Sequence, residues 1–247
     1  MRRGRCKFHE QNTTRKGVAF APQAVETATM ASKARARPKR RGRDFIARHG
    51  ETVFNAAGRL QGDHAHTPLT RSGFAQADEM GAALRAALGT RPKLTLWASP
   101  TGRALQTLAV IAEHLELDWH QARTDERLVE IDMGGWGGRY YADLAAERGS
   151  IVDHVAGMLV PAPDGETYTD IATRVSGWLA DTDDDPGDRL VIMHGISSRV
   201  MRGVMTGLPD VPGYDAPAAS SLPQGSVVMI AGGVEQIVHS GRGGERA

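Results

Sequence analysis

The sequence predicts an α/β fold, a three-layer α/β/α sandwich with a mostly parallel sheet and an antiparallel hairpin at its edge. Short apolar runs alternate with segments whose apolar residues recur at helical spacing, the pattern of a parallel sheet covered by helices on both faces. Three of these runs end in a similar way, at Arg48-His49-Gly50, at Ser99-Pro100 and at His194-Gly195. Near the C-terminus two further runs flank Gly232-Gly233, where paired glycines supply the positive φ of a tight hairpin turn.

The first strand is Phe45-Ile46-Ala47. A long helix follows from Ser72, with Thr70 or Ser72 as its cap and Phe74, Ala77, Met80, Leu84 and Leu88 on one face. Leu94 to Ala98 is a buried strand, and Leu105, Leu108, Ile111, Ala112 and Leu115 mark the helix after it, with Arg103 in its first turn. A third helix spans Glu166 to about Asp181 and is broken by Asp183-Asp184-Asp185-Pro186-Gly187. Arg189 to Met193 is another buried strand, followed by a helix from about Ser197 to Thr206. The hairpin pairs Val227-Ile230 with Val234-Val238.

Composition narrows the class. The 247 residues carry one cysteine, Cys6, which excludes an internal disulfide, a CxxC pair and a cysteine-rich zinc site. No apolar stretch approaches the ~20 residues that cross a bilayer and the basic start has no continuous apolar core of a secretory signal, so the expectation is a cytoplasmic protein with no membrane partner. The formal net charge of +1 conceals an asymmetry, since residues 1–43 hold thirteen Lys/Arg and two acids while residues 44–247 hold 17 basic and 27 acidic residues. Residues 1–43 lack apolar periodicity and read as a disordered basic extension, and residues 44–247 as the folded domain. No nucleic-acid partner is expected, because no aromatic is interleaved with the cations of Lys33 to Arg43. Oligomeric state stays open.

If the three polar-ended strands are parallel neighbours, two imidazoles (His49 and His194) and two guanidiniums (Arg48 and Arg103) meet outside their carboxyl ends, where open α/β sheets bind ligands. That set suits a tetrahedral dianion, because a guanidinium fork matches phosphate oxygens and a glycine after each histidine lets the backbone turn sharply. In an acidic body, such an anion depends on locally placed cations.

The residues then continue in a recognisable order. Arg48-His49-Gly50-Glu51-Thr52 is followed by Asn55, Gly58-Arg59-Leu60-Gln61-Gly62, Pro68-Leu69-Thr70, Ser99 with Arg103, Glu130 with Gly134 and Trp136, Asp164-Gly165-Glu166 and Met193-His194-Gly195. This series resembles the histidine phosphatase superfamily, the phosphoglycerate-mutase-like phosphatases, over residues 44 to about 238. The resemblance implies a phosphoglycerate-mutase-like fold and a phosphatase acting on a small phosphorylated metabolite, with His49 as nucleophile. It also implies that Arg48, Asn55, Arg103 and His194 hold the phosphoryl oxygens and that Glu130 is the proton donor. With fixed cations in that role, neither a metal nor another cofactor is implied.

Glu51 and Asp132 are rival acids; Glu51 is expected in the pocket wall, where it can orient an arginine, with Gly195 beside the substrate phosphate. Arg59 and Gln61 either contact the substrate or close the loop after the first strand, and Trp136 reads as a packing residue. Two departures from the family pattern stand out: Gly137 stands where the family often has an acidic residue after the tryptophan, and the Asp63-His64-Ala65-His66-Thr67 segment is one residue longer than the usual spacing. Asp63, His64 and His66 read as solvent-facing polar residues rather than metal ligands. A cofactor-dependent phosphoglycerate mutase and a non-catalytic phosphate-binding or phosphoprotein-binding module remain the alternatives. The brevity of the stretch from Glu130 to His194 favours the hydrolase, because a mutase needs a well-covered site.

Overall fold

The computed structural model describes residues 40–185 and 187–242. In chain order the strands are β1 (Asp44–Arg48), β2 (Leu94–Ala98), β3 (Arg123–Thr124), β4 (Val152–Asp153), β5 (Met158–Leu159), β6 (Asp188–Met193), β7 (Val227–Ala231) and β8 (Val234–His239). The α-helices are α1 (Val53–Ala57), α2 (Arg71–Leu88), α3 (Gly102–Leu115), α4 (Tyr141–Arg148), α5 (Tyr168–Asp181) and α6 (Gly195–Thr206). Six strands form one sheet in the order β3-β2-β6-β1-β7-β8, and β4 and β5 form a separate small hairpin.

β6 pairs in parallel with both β1 and β2, and β7 turns back antiparallel against β1. The register sets Arg48 opposite Met193 and Ala98 opposite Ile192, so the three polar strand ends lie side by side. Alternation along the strands sorts the core into two layers. Phe45, Ala47, Leu96, Leu190 and Ile192 pack on Ala77, Met80 and Leu84 of α2 and on Leu108 and Ile111 of α3. Ile46, Val191 and Met193 face Ile171, Val175 and Trp178 of α5 and Val200 and Met201 of α6. Each of these large apolar side chains, once buried, contributes roughly 1.5–3 kcal/mol.

Local chemistry explains the element ends. Thr70 caps α2 by accepting from the Gly73 N–H, and Thr167 forms a reciprocal capping box with Asp170 at the start of α5, two residues after the expected start at Glu166. α6 begins at Gly195, directly after β6, so His194 is its N-cap residue rather than part of a loop leading to a helix at Ser197. Gly232 and Gly233 have φ of +57° and +80°, and the hairpin forms as the two glycines require. Phe74 departs from expectation: it lies on the first turn of α2 at 42% exposure, beside the buried stripe that runs through Gly73, Gln76, Ala77, Met80 and Leu84.

The ordered contacts reach upstream of the Asp44 boundary. Arg40 pairs with Asp44 and donates to the carbonyls of Asp185 and Gly187, while Arg43 holds Asp188 through two guanidinium nitrogens. Arg189, fully buried, completes the cluster by donating to Asp44 at 2.6 Å and lying over the Trp178 ring. The rest of the expected extension, 1–39, lies outside the described residues. Among the described residues no helix is long and apolar enough to cross a membrane.

Candidate active site

The site is built where β1, β2 and β6 end. The His49 N–H continues the ladder to the Met193 carbonyl at 3.1 Å, and the Ser99 N–H does the same to Ile192 at 3.0 Å. Immediately after His49 the chain passes the start of α2 backbone to backbone. A Cβ on Gly50 would lie 2.2 Å from the Gly73 oxygen, and one on Gly73 would lie 2.0 Å from the Glu51 oxygen. The Gly50 N–H donates to Thr107 Oγ1, whose own proton goes to the Arg103 carbonyl, tying the turn after His49 to α3.

His49 and His194 are 3% and 0% exposed and meet edge to face with ring centroids 5.1 Å apart. His49 Nδ1 lies 2.7 Å from the Gly50 carbonyl, which only accepts; Nδ1 therefore carries the proton and Nε2 keeps its lone pair. The reverse holds at His194. Arg103 Nε donates to its Nδ1 at 3.2 Å, so the neutral ring carries its proton on Nε2, a buried atom with no hydrogen-bond partner. Burial is the largest cause holding both imidazoles well below their usual range; next come Arg103 and Arg48 for His49, and Arg103 and then the His49 ring for His194.

The arginines divide their duties. Arg103, fully buried, also donates to the carbonyls of His64 and Gly62 and to Thr67 Oγ1, so it fastens the 62–67 loop as well as orienting His194. Burial brings its pKa down to about 10, against the opposing pull of Glu130 and Asp63. Arg48 donates to the Leu222 carbonyl and lies flat against Gly195, where an added Cβ would sit 3.2 Å from the guanidinium carbon. A side chain at Gly195 would therefore press on Arg48.

Glu130 faces the first turn of α6. Its carboxylate accepts from the Ile196 N–H at 3.0 Å and the Ser197 N–H at 2.8 Å, and from its neighbour Ile131. The donors at a helix N-terminus fix where this carboxyl points, two residues beyond His194. Five sequence-selected residues, Arg48, His49, Arg103, Glu130 and His194, are therefore held around the ends of β1 and β6.

Four others make contacts within the loops beside the site. Asn55 uses its side-chain oxygen to accept from Thr52 N–H and Oγ1 in the cap of α1, and Gln61 accepts from the same Thr52 hydroxyl. Glu51 accepts from Thr70 Oγ1 at 2.7 Å and holds the cap of α2, where an arginine partner was expected. Arg59 lies between the rings of Phe54 and Tyr140 and donates to the Gly138 carbonyl at 2.6 Å, which is the loop-closing alternative. His64 is exposed, stacks edge-on against Phe54, and puts its Nε2 3.1 Å from where a Gly137 side chain would begin. The long loop thus occupies the space of the acidic residue that Gly137 replaces.

Tyr141 was not singled out by the sequence. Burial, with Glu130 nearby, pushes its hydroxyl up to about 12, and the Arg48 guanidinium partly offsets this. It opens α4, a helix of only eight residues whose sole buried residue is Leu144, so no apolar period marked it. Thr67 and Thr107, buried hydroxyls that serve Arg103 and Gly50, carried no sequence signal either.

Comparison with known proteins places the fold and the family. The chain is 34% identical over 171 residues to the probable phosphoglycerate mutase GpmB of Enterobacter sp. (strain 638), covering 67% of this chain and 75% of that protein. It is 35% identical over 172 residues to the protein of the same name from Cronobacter sakazakii, with the same coverage. A putative alpha-ribazole-5'-P phosphatase from Escherichia coli superposes with a TM-score of 0.62 at 24% identity, covering 82% of this chain and 97% of that one. A mycobacterial glucosyl-3-phosphoglycerate phosphatase superposes with a TM-score of 0.63 at 22% identity, covering 82% and 100%. The sequence profile of the histidine phosphatase superfamily (branch 1) matches residues 45–230, from the second residue of β1 to the end of the sheet core in β7, and the chain belongs to that family.

Proposed function

We propose that the protein is a phosphomonoesterase acting on a small phosphorylated metabolite through a phosphohistidine on His49. The observation that supports this most is the opposite tautomers of the two facing rings: His49 Nε2 has a lone pair, and His194 Nε2 has a proton to give, 5.1 Å away centroid to centroid. In the first step His49 Nε2 attacks phosphorus in line, the N–P bond forms as the ester P–O bond breaks, and the departing alkoxide takes the Glu130 proton. Arg48, Arg103 and the His194 Nε2–H meet the equatorial oxygens, supplying charge compensation that Mg²⁺ provides at other phosphoryl-transfer sites. In the second step water attacks phosphorus and gives its proton to Glu130, releasing inorganic phosphate and restoring both residues.

Incubation with a phosphate ester should give an acid-labile, base-stable phosphoryl label that is absent in His49→Ala, together with phosphate release. Tight phosphate binding without label or turnover would instead identify a non-catalytic phosphate-binding module. The names of the curated relatives support a second reading, a cofactor-dependent phosphoglycerate mutase. Interconversion of phosphoglycerate isomers in the presence of a bisphosphate primer, faster than phosphate release, would establish that reading.

A further inference from the structure

Beside the clamp runs a groove of about 350 Å³ whose lining includes Asp63, Glu130, Asp132, Asp164, Glu166 and Arg174. Its one cation is spent. Arg174 holds Glu166 through two nitrogens, at 2.6 and 3.0 Å, and gives its third to the Arg127 carbonyl. The acids are fixed in place by backbone: Asp132 accepts from the Gly134 N–H at 2.8 Å and Asp164 from the Gly135 N–H at 3.0 Å. Both carboxylates are exposed at the surface of the groove.

The groove is continuous with a site that calls for an anion. It shares Glu130, whose carboxylate sits on the α6 amides just beyond the fully buried, unpartnered Nε2 of His194. When the phosphoryl group occupies the clamp and its ester oxygen faces Glu130, whatever that oxygen carries must enter the groove.

We infer that the leaving group is cationic, which makes the substrate class phosphomonoesters of amino alcohols. This rests on the phosphomonoesterase reading and adds to it the chemistry of the group that departs. Asp63, Asp132 and Asp164 would attract an ammonium, whereas a carboxylate or second phosphate would meet fixed negative charge, the lining arginine being already paired with Glu166. At an effective dielectric near 20, reversing one charge at such range changes relative affinity by about tenfold or more.

A two-carbon series tests the inference with the full chain: O-phosphoethanolamine, ethyl phosphate and phosphoglycolate, whose leaving groups are cationic, neutral and anionic. The expected order of kcat/KM follows that sequence, with about tenfold or more between the ends at low salt and a narrower spread near 0.5 M salt, where charges are screened. The ratio of the ends should fall several-fold in Asp132→Asn and in Asp164→Asn; the salt dependence needs no variant and stands if either fails to fold. Phosphoglycolate turned over as well as phosphoethanolamine, or a ratio indifferent to salt, would overturn the inference while leaving the hydrolase intact. No phosphate release from any of the three, with no phosphoryl label, would remove the underlying reading and the inference with it.

Discussion

Arg103 Nε donates to His194 Nδ1 across 3.2 Å, and that one contact settles which nitrogen of His194 can meet a ligand. The clamp therefore depends on an arginine acting partly through a histidine, and the consequences are open to measurement.

Arg103→Lys should keep a positive charge but lose the fork that serves His194 and the 62–67 loop at once. We expect kcat to fall by about 10²–10³ and stability by about 2–4 kcal/mol, because buried carbonyls lose their donors. Nitrogen NMR of His194 should show the Nδ1–H tautomer appearing. Retention of the Nε2–H form and of full activity would contradict the assigned role.

The two imidazoles make stability depend on pH in a defined direction. Both are held well below their ordinary value when folded, so at pH below about 6.5 the unfolded chain binds protons that the folded one does not. Stability is unaffected by these rings above that pH and declines as pH falls toward the depressed folded values, by up to about 1.4 kcal/mol per pH unit for each ring. Denaturant titrations between pH 7 and 4 should show a shallower decline in His194→Gln. A steeper one would reverse the sign.

Arg59→Ala should act on the loop more than on the reaction. Losing the Gly138 hydrogen bond and the two ring contacts should cost about 1–3 kcal/mol, with kcat/KM changing less than about fivefold. A hundredfold loss of kcat/KM at unchanged melting temperature would make Arg59 a substrate contact instead.

The domain boundary can be placed by truncation. A chain beginning at Arg40 should melt with the full-length protein and retain activity, whereas one beginning at Asp44 should lose about 2–4 kcal/mol. The shorter chain removes one of the two guanidiniums that share the buried Asp44 carboxylate, together with the Arg43–Asp188 pair. Equal melting temperatures for both chains would restore the boundary at Asp44.

How much of this was legible in the sequence follows from the range of the forces involved. β1, β2, β6 and the helices α2, α3 and α5 declare themselves because burial repeats along them, and the convergence of His49, Arg48, Arg103 and His194 follows from strand order alone. α4 and the β4–β5 hairpin escaped, since two-residue strands and a helix with one buried residue carry no period. Thr52-Val53-Phe54-Asn55 holds a capping-box spacing that would have revealed α1 and the second duty of Asn55. The duties of Glu51 and Arg59 depend on which distant hydroxyl, carbonyl or ring folding brings near, at Thr70, Gly138 and Tyr140. Phe74 kept the helical spacing yet faces outward, because the first turn turns its Gly73 face inward, where a glycine lets main chain meet main chain.

The meeting of Gly50 and Gly73 sets how finely the His49 ring is aimed. With main chain touching main chain there, no rotamer can absorb a change, so the bearing of His49 is inherited from the rigid body of α2. A substitution far along that helix that shifts its tip should therefore displace the imidazole as well.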